Sequence, residues 1–142
     1  MPRLTFVLLL LLPGQIAFCQ VNRPKNKQEL IAMCDKFMDA FKKGKCTEAY
    51  DLIKPYTVIQ DNQLDTLAAK STRQMIALTA TYGKAISYEL VSEKAVKLTL
   101  SRVIYLLKFE KSFLRFRFIL YNNESGWTIE NFKYDEAMDD LF

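Results

Sequence analysis

Four basic residues fall close together in the second half of the chain: Arg102, Lys108, Arg115 and Arg117. Phe113, Ile119 and Tyr121 are interleaved with them. Basic and aromatic groups on one surface can hold an anionic partner. The same row also suits a face shared between two copies of the chain, or a solvated sheet face whose charges discourage aggregation. Other chemistries are excluded by what is missing. The 142 residues include no histidine, so neither a Ser-His-Asp nor a Cys-His nucleophile can form, and no imidazole can bind a metal. Only four glycines are present, in no phosphate-cradling motif. No C-x-x-C pattern occurs among the three cysteines. No catalytic residue, metal or cofactor is therefore assigned.

The N-terminus reads as an export signal over residues 1–19. Arg3 supplies the positive start, Leu4 to Leu12 an apolar run, and Pro13-Gly14 a break. The run is shorter than the ~20 residues that a membrane span needs. Ala17-Phe18-Cys19 favours a cut before Gln20. The alternatives are a lipoprotein cut before Cys19 and an uncleaved anchor. The expected product is exported, periplasmic or extracellular, without a membrane span. Its small excess of base over acid does not imply nucleic acid, and none is expected as a partner. Cys34 and Cys46 would remain, either bridged or as two packed thiols. Asn123-Glu124-Ser125 matches a glycosylation sequon, which matters only in a secreting eukaryote.

The elements follow from periodicity. Residues 20–27 carry Pro24 and read as a flexible lead-in. Leu30, Cys34, Phe37, Met38 and Phe41 form one helical stripe, stopped at Gly44. Thr47 is expected to cap a second helix, which Lys54-Pro55 ends. A third helix is expected from about Asn62 to Tyr82, with Gly83 after it. From Lys84 the period becomes two. Ile86, Tyr88 and Leu90 alternate, and long strands flank a two-residue turn at Lys111-Ser112 that pairs Glu110 with Phe113. That register puts Val103, Tyr105, Leu107 and Phe109 on one face with Leu114, Phe116, Phe118 and Leu120. The opposite face receives the basic row. In the last strand Trp127 and Ile129 are out of phase with Phe132 and Tyr134. A bulge near Glu130 or Asn131 would turn all four inward. The acidic tail, 137–142, is either frayed or a short packed turn.

The order is three helices, then a four-stranded antiparallel meander: an α+β fold in a single domain over 28–136. It resembles the nuclear-transport-factor-2-like or ketosteroid-isomerase-like (cystatin-like cone) superfamily, most of all its small exported bacterial members of unassigned activity. The resemblance rests on Phe37-Met38-Asp39-Ala40-Phe41-Lys42-Lys43-Gly44-Lys45, Ala49-Tyr50 and Gly126-Trp127-Thr128-Ile129 with Phe132. It implies a sheet curved around the helices with a conical apolar pocket between them. Phe37, Phe41, Tyr50, Tyr82, Tyr105, Phe116, Phe118 and Trp127 would line it. Catalytic members resembling ketosteroid isomerase use an Asp base with Tyr/Asp donors, and here Tyr50, Tyr82, Tyr105 and Tyr134 with Asp51 or Asp61 are the stand-ins. The leading expectation is a non-catalytic domain. It would bind a small apolar ligand in the pocket, or a protein partner or second copy through Arg102, Lys108, Arg115, Arg117 and Tyr121. The alternative is an isomerase- or hydratase-like enzyme built on Tyr and Asp.

Overall fold

The computed structural model describes residues 20–139, 141 and 142; the expected export signal lies outside them. Three helices precede four strands: α1 (Lys27–Lys42), α2 (Cys46–Ile53), α3 (Asp61–Tyr82), β1 (Ala85–Val96), β2 (Leu100–Phe109), β3 (Phe113–Asn122) and β4 (Trp127–Asp135). The strands form one antiparallel sheet in the order β1-β2-β3-β4. No helix among the described residues is long and apolar enough to cross a membrane.

Helix α1 starts at Asn26, whose side chain accepts the Gln28 N–H at 2.9 Å. It ends in a Schellman turn, with Lys45 N–H on Ala40 O and Gly44 N–H on Phe41 O. Gly44 takes φ +74°, which favours glycine. That tight turn leads straight into α2, which begins at Cys46 after Lys45. Thr47 therefore lies inside the helix instead of capping it. Pro55 ends α2 in a single 3-10 turn.

The stripe of α1 meets the inner sheet face. Phe37 is fully buried, in contact with Phe41, Tyr50, Phe116, Phe118 and Phe132 at centroid separations of 5.1–6.2 Å. Most of these pairs meet edge to face, the geometry the ring quadrupole favours. Truncating Phe37 to alanine would cost about 3–5 kcal/mol.

The β2–β3 register differs from the expected one by two residues. Lys108, not Glu110, faces Phe113, and Tyr105 faces Phe116. The loop is longer because Phe109 N–H bonds Ser112 O across it, while Glu110 and Lys111 N–H reach back to Lys84 and Tyr82 carbonyls. A shift of two keeps every side chain on its face, so the inner surface survives the change. In β4 the bulge falls where the phase break required: Ile119 faces Asn131, the next residue Leu120 faces Ile129, and Glu130 is the extra residue. Trp127, Ile129 and Phe132 are buried as a result. Strand β1 carries register shifts at Ile86 and Val91. Ile86 is thereby turned out to solvent, at 58% exposure, instead of joining Tyr88 inward.

The lead-in is tied to the domain: Asn22 N–H bonds Pro55 O, and Pro24 O accepts from Trp127 N–H. Thr57 bridges Ile129 in parallel beside β4. At the other end, Arg115 donates to the Asp139 carbonyl and Leu141 N–H bonds Met138 O, so the tail turns back to β3 while Met138 and Phe142 stay exposed.

Candidate functional site

Three elements meet where α2, α3 and β4 converge, and each contributes a hydroxyl. Tyr50 Oη lies 2.9 Å from Ser71 Oγ, and Ser71 Oγ lies 2.9 Å from Tyr134 Oη. Tyr134 donates to Gln74 Oε1. Proton counting fixes the direction. Tyr134 has one proton, and it is on Gln74, so Ser71 donates to Tyr134. Ser71 has then spent its own, so Tyr50 donates to Ser71. The chain runs from the aromatic core to the exposed Gln74, each bond polarising the next. A groove of about 220 Å³ opens on it, lined also by Leu67, Lys70, Phe132 and Lys133.

The other two candidate tyrosines are engaged as well. Tyr105 donates to Asp35 Oδ1 at 2.7 Å, and Tyr82 to Glu136 Oε1 at 2.9 Å. Burial raises the pKa of Tyr50, Tyr105 and Tyr134 above the ordinary phenol value. For Tyr82 the leading cause is the bond to Glu136. All four remain protonated at neutral pH, and each proton already has an acceptor. An oxyanion hole needs donors aimed at the place where charge will develop. These four donate within the protein instead. Asp51 pairs with Lys54 at 2.7 Å, and Asp61 is exposed at the start of α3.

The eight expected wall residues come together, but as packing. Phe37, Phe41, Tyr50, Tyr105, Phe116 and Phe118 are at most 1% exposed and Trp127 6%, while Tyr82 sits at the margin against Phe109. Phe41 and Phe116 meet at 4.9 Å and Tyr105 and Phe118 at 5.9 Å, so their rings occupy the centre of the fold. Cys34 and Cys46 are both buried free thiols.

The basic residues divide into two kinds. Arg115 is 3% exposed, with Nε 3.0 Å and Nη2 3.1 Å from the two oxygens of Asp135; it is an internal ion pair, not a surface contact. Lys108 pairs with Glu89 at 2.8 Å. Arg102, Arg117 and Tyr121 are half-buried on the outer face. Pairing between strands adds two lysines that single-strand reading missed: Lys94 stands opposite Arg102, and Lys133 opposite Arg117. Ile119 lies opposite Arg102 on β3, and fully buried Ile104 opposite Arg117. Sequence alone could not supply Lys94 or Lys133, because each is placed by the bulge in its own strand. The signal for Ser71 is its spacing of three, four and seven from Ala68, Leu67 and Leu64, and four from Met75, which puts a hydroxyl on the apolar side of α3.

Comparison of the chain with protein-family models, with curated proteins and with solved structures found no match.

Proposed function

We propose that this is an exported, non-catalytic binding domain of the nuclear-transport-factor-2-like kind, whose outer sheet face receives an acidic protein partner. The order of helices and meander supports the kinship, and residues 1–19 support export. The observation that carries the binding reading is the juxtaposition of like charges on that face. Lys94 stands opposite Arg102 and Arg117 opposite Lys133. Like charges directly opposite across strands cost roughly 0.2–1 kcal/mol per pair. Carboxylates of a partner laid over these rows would meet four cations, of which Lys133 also pairs with Asp135 at 3.5 Å, and Ile119 and Tyr121 supply apolar and aromatic contact between them. Two copies meeting through this face would bring the same rows together, so a distinct acidic partner is favoured over a second copy. The aromatic rings at the centre of the fold and the engaged tyrosine hydroxyls turn the reading away from an interior ligand and from catalysis.

The test uses residues 20–142 and a labelled peptide of alternating glutamate and leucine, followed by fluorescence anisotropy at low and high salt. Saturable binding, weakened at least tenfold by Arg102→Glu/Arg117→Glu and by high salt, supports the proposal. Native mass spectrometry showing a dimer that the same double change dissolves would replace the acidic partner with a second copy. Binding indifferent to both salt and the double change overturns the assignment of this face.

A further inference from the structure

A second recess lies outside the core, between the C-terminal end of α1, the middle of α3 and the start of β1. It encloses about 500 Å³ and is lined by Lys42, Lys43, Thr72, Met75, Ile76, Thr79, Lys84 and Ala85, with Gly44 at its edge. Two of its properties are opposed. Its floor is apolar: Met75 is buried beneath it, and Ile76 presents 70% of its surface to solvent. Its rim is cationic. Of the three lysines, Lys43 is held by Asp39 at 2.6 Å. Lys42 and Lys84 have no carboxylate within ion-pair distance among the described residues.

A single exposed isoleucine is ordinary, but Ile76 lines the same recess as Ala85 and buried Met75 and so extends one apolar floor. The ammonium groups of Lys42 and Lys84 beside it, the first of them also within the field of Asp39, favour a negative charge. The volume is within the range of small-molecule sites, ~300–1,000 Å³. We infer that this recess binds a single-chain amphiphile with an anionic head, its apolar chain on Met75, Ile76 and Ala85 and its head between Lys42 and Lys84. Thr72 does not compete for the head, since its hydroxyl donates to Ala68 O at 2.9 Å. The recess is separate from the sheet face proposed above, so either assignment can fail alone. A carboxylate and a phosphate head share this chemistry.

Dodecanoate and dodecyl phosphate, each below its micelle-forming concentration, probe the two heads, and dodecyl maltoside is the neutral control. Titration of residues 20–142 is read by calorimetry and by amide chemical shifts. The expected result is one-to-one binding of at least one anionic probe, with shifts confined to 42–44, 72–79, 84 and 85. Affinity should fall at least tenfold in Ile76→Glu, and separately in Lys42→Glu/Lys84→Glu. Both variants change surface side chains and should keep the unliganded amide spectrum, which checks that they fold. Tight binding of one anionic probe and not the other identifies the head. Equal affinity for the maltoside, shifts centred elsewhere, binding unchanged by either variant, or no binding at all would each overturn the inference.

Discussion

Arg115 and Asp135 face each other across β3 and β4, and the guanidinium spans both carboxylate oxygens. Burial alone would raise the Asp135 pKa. Hydrogen bonds from Arg115, the Ala137 N–H and Lys133 outweigh it and hold that pKa below the ordinary carboxylate value. A carboxyl depressed in the folded state contributes stability that is complete above its unfolded value of about 3.9. That contribution is lost as pH falls from there through the folded value. Asp135→Asn should therefore lower the urea midpoint at pH 7, by about 2–3 kcal/mol of stability, because Arg115 is left buried without its carboxylate. The gap between variant and parent should narrow below pH 4. Urea titrations at pH 7, 5 and 3 measure it, and a gap independent of pH would show that the ion pair is not its source.

The hydroxyl chain makes a sharper prediction about Ser71. Ser71→Ala removes the only acceptor that Tyr50 is seen to use and the donor that Tyr134 receives. Leaving a buried hydroxyl without a partner costs about 1–3 kcal/mol. In the Ser71→Ala/Tyr50→Phe double variant no orphaned Tyr50 hydroxyl remains, so the loss should be smaller than the sum of the two single losses. Chemical denaturation of the four proteins closes the cycle, and simple additivity would contradict the coupling.

The faces of β2 and β3 were legible because a period of two survives any even error in register. Misjudging the loop after Phe109 moved the pairing by two residues and left Phe116 and Phe118 inside. The β4 bulge was legible for a related reason: Trp127 and Phe132 cannot both face inward without an extra residue. Ile86 was not legible. Its exposure comes from a bulge that no phase break in β1 announced. The expected apolar pocket could not be judged from sequence either. Alternation says that Phe37, Phe116 and Phe118 face the same space, but not whether their rings span it. Arg115 shows the same gap, since its distance from surface contact depends on the tail folding back to Asp139.

The two cysteines give a chemical test of packing. Burial, with a smaller contribution from the Asp35 charge, raises the Cys34 pKa far above the ordinary thiol value, and burial also raises that of Cys46. The thiolate is the reactive form, so both should resist iodoacetamide at pH 8 in the native state. Mass spectrometry should find both thiols unmodified after native exposure and both alkylated after denaturation. Rapid native labelling of Cys34 would contradict the closed packing of α1 on the sheet.

The lead-in and the β3–β4 turn are held together by an approach that only glycine permits. Gly126 takes φ +138°, and a Cβ built there would lie 2.4 Å from the Arg23 carbonyl oxygen and 2.8 Å from that of Pro24. Trp127 N–H donates to that Pro24 oxygen. Gly126→Ala therefore meets backbone on one side and a disfavoured φ on the other, and neither is relieved by turning a side chain. The expected cost is about 1–3 kcal/mol. Its structural signature should be local: the segment 22–24 should lift away, taking its bonds to Pro55 and Trp127 with it. Hydrogen exchange should then show faster exchange at the Asn22 and Trp127 amides, while the amides of β2 keep their relative protection. Uniform acceleration across the sheet would mean that the lead-in is part of the cooperative core, and unchanged exchange would mean that the approach at Gly126 is not a constraint.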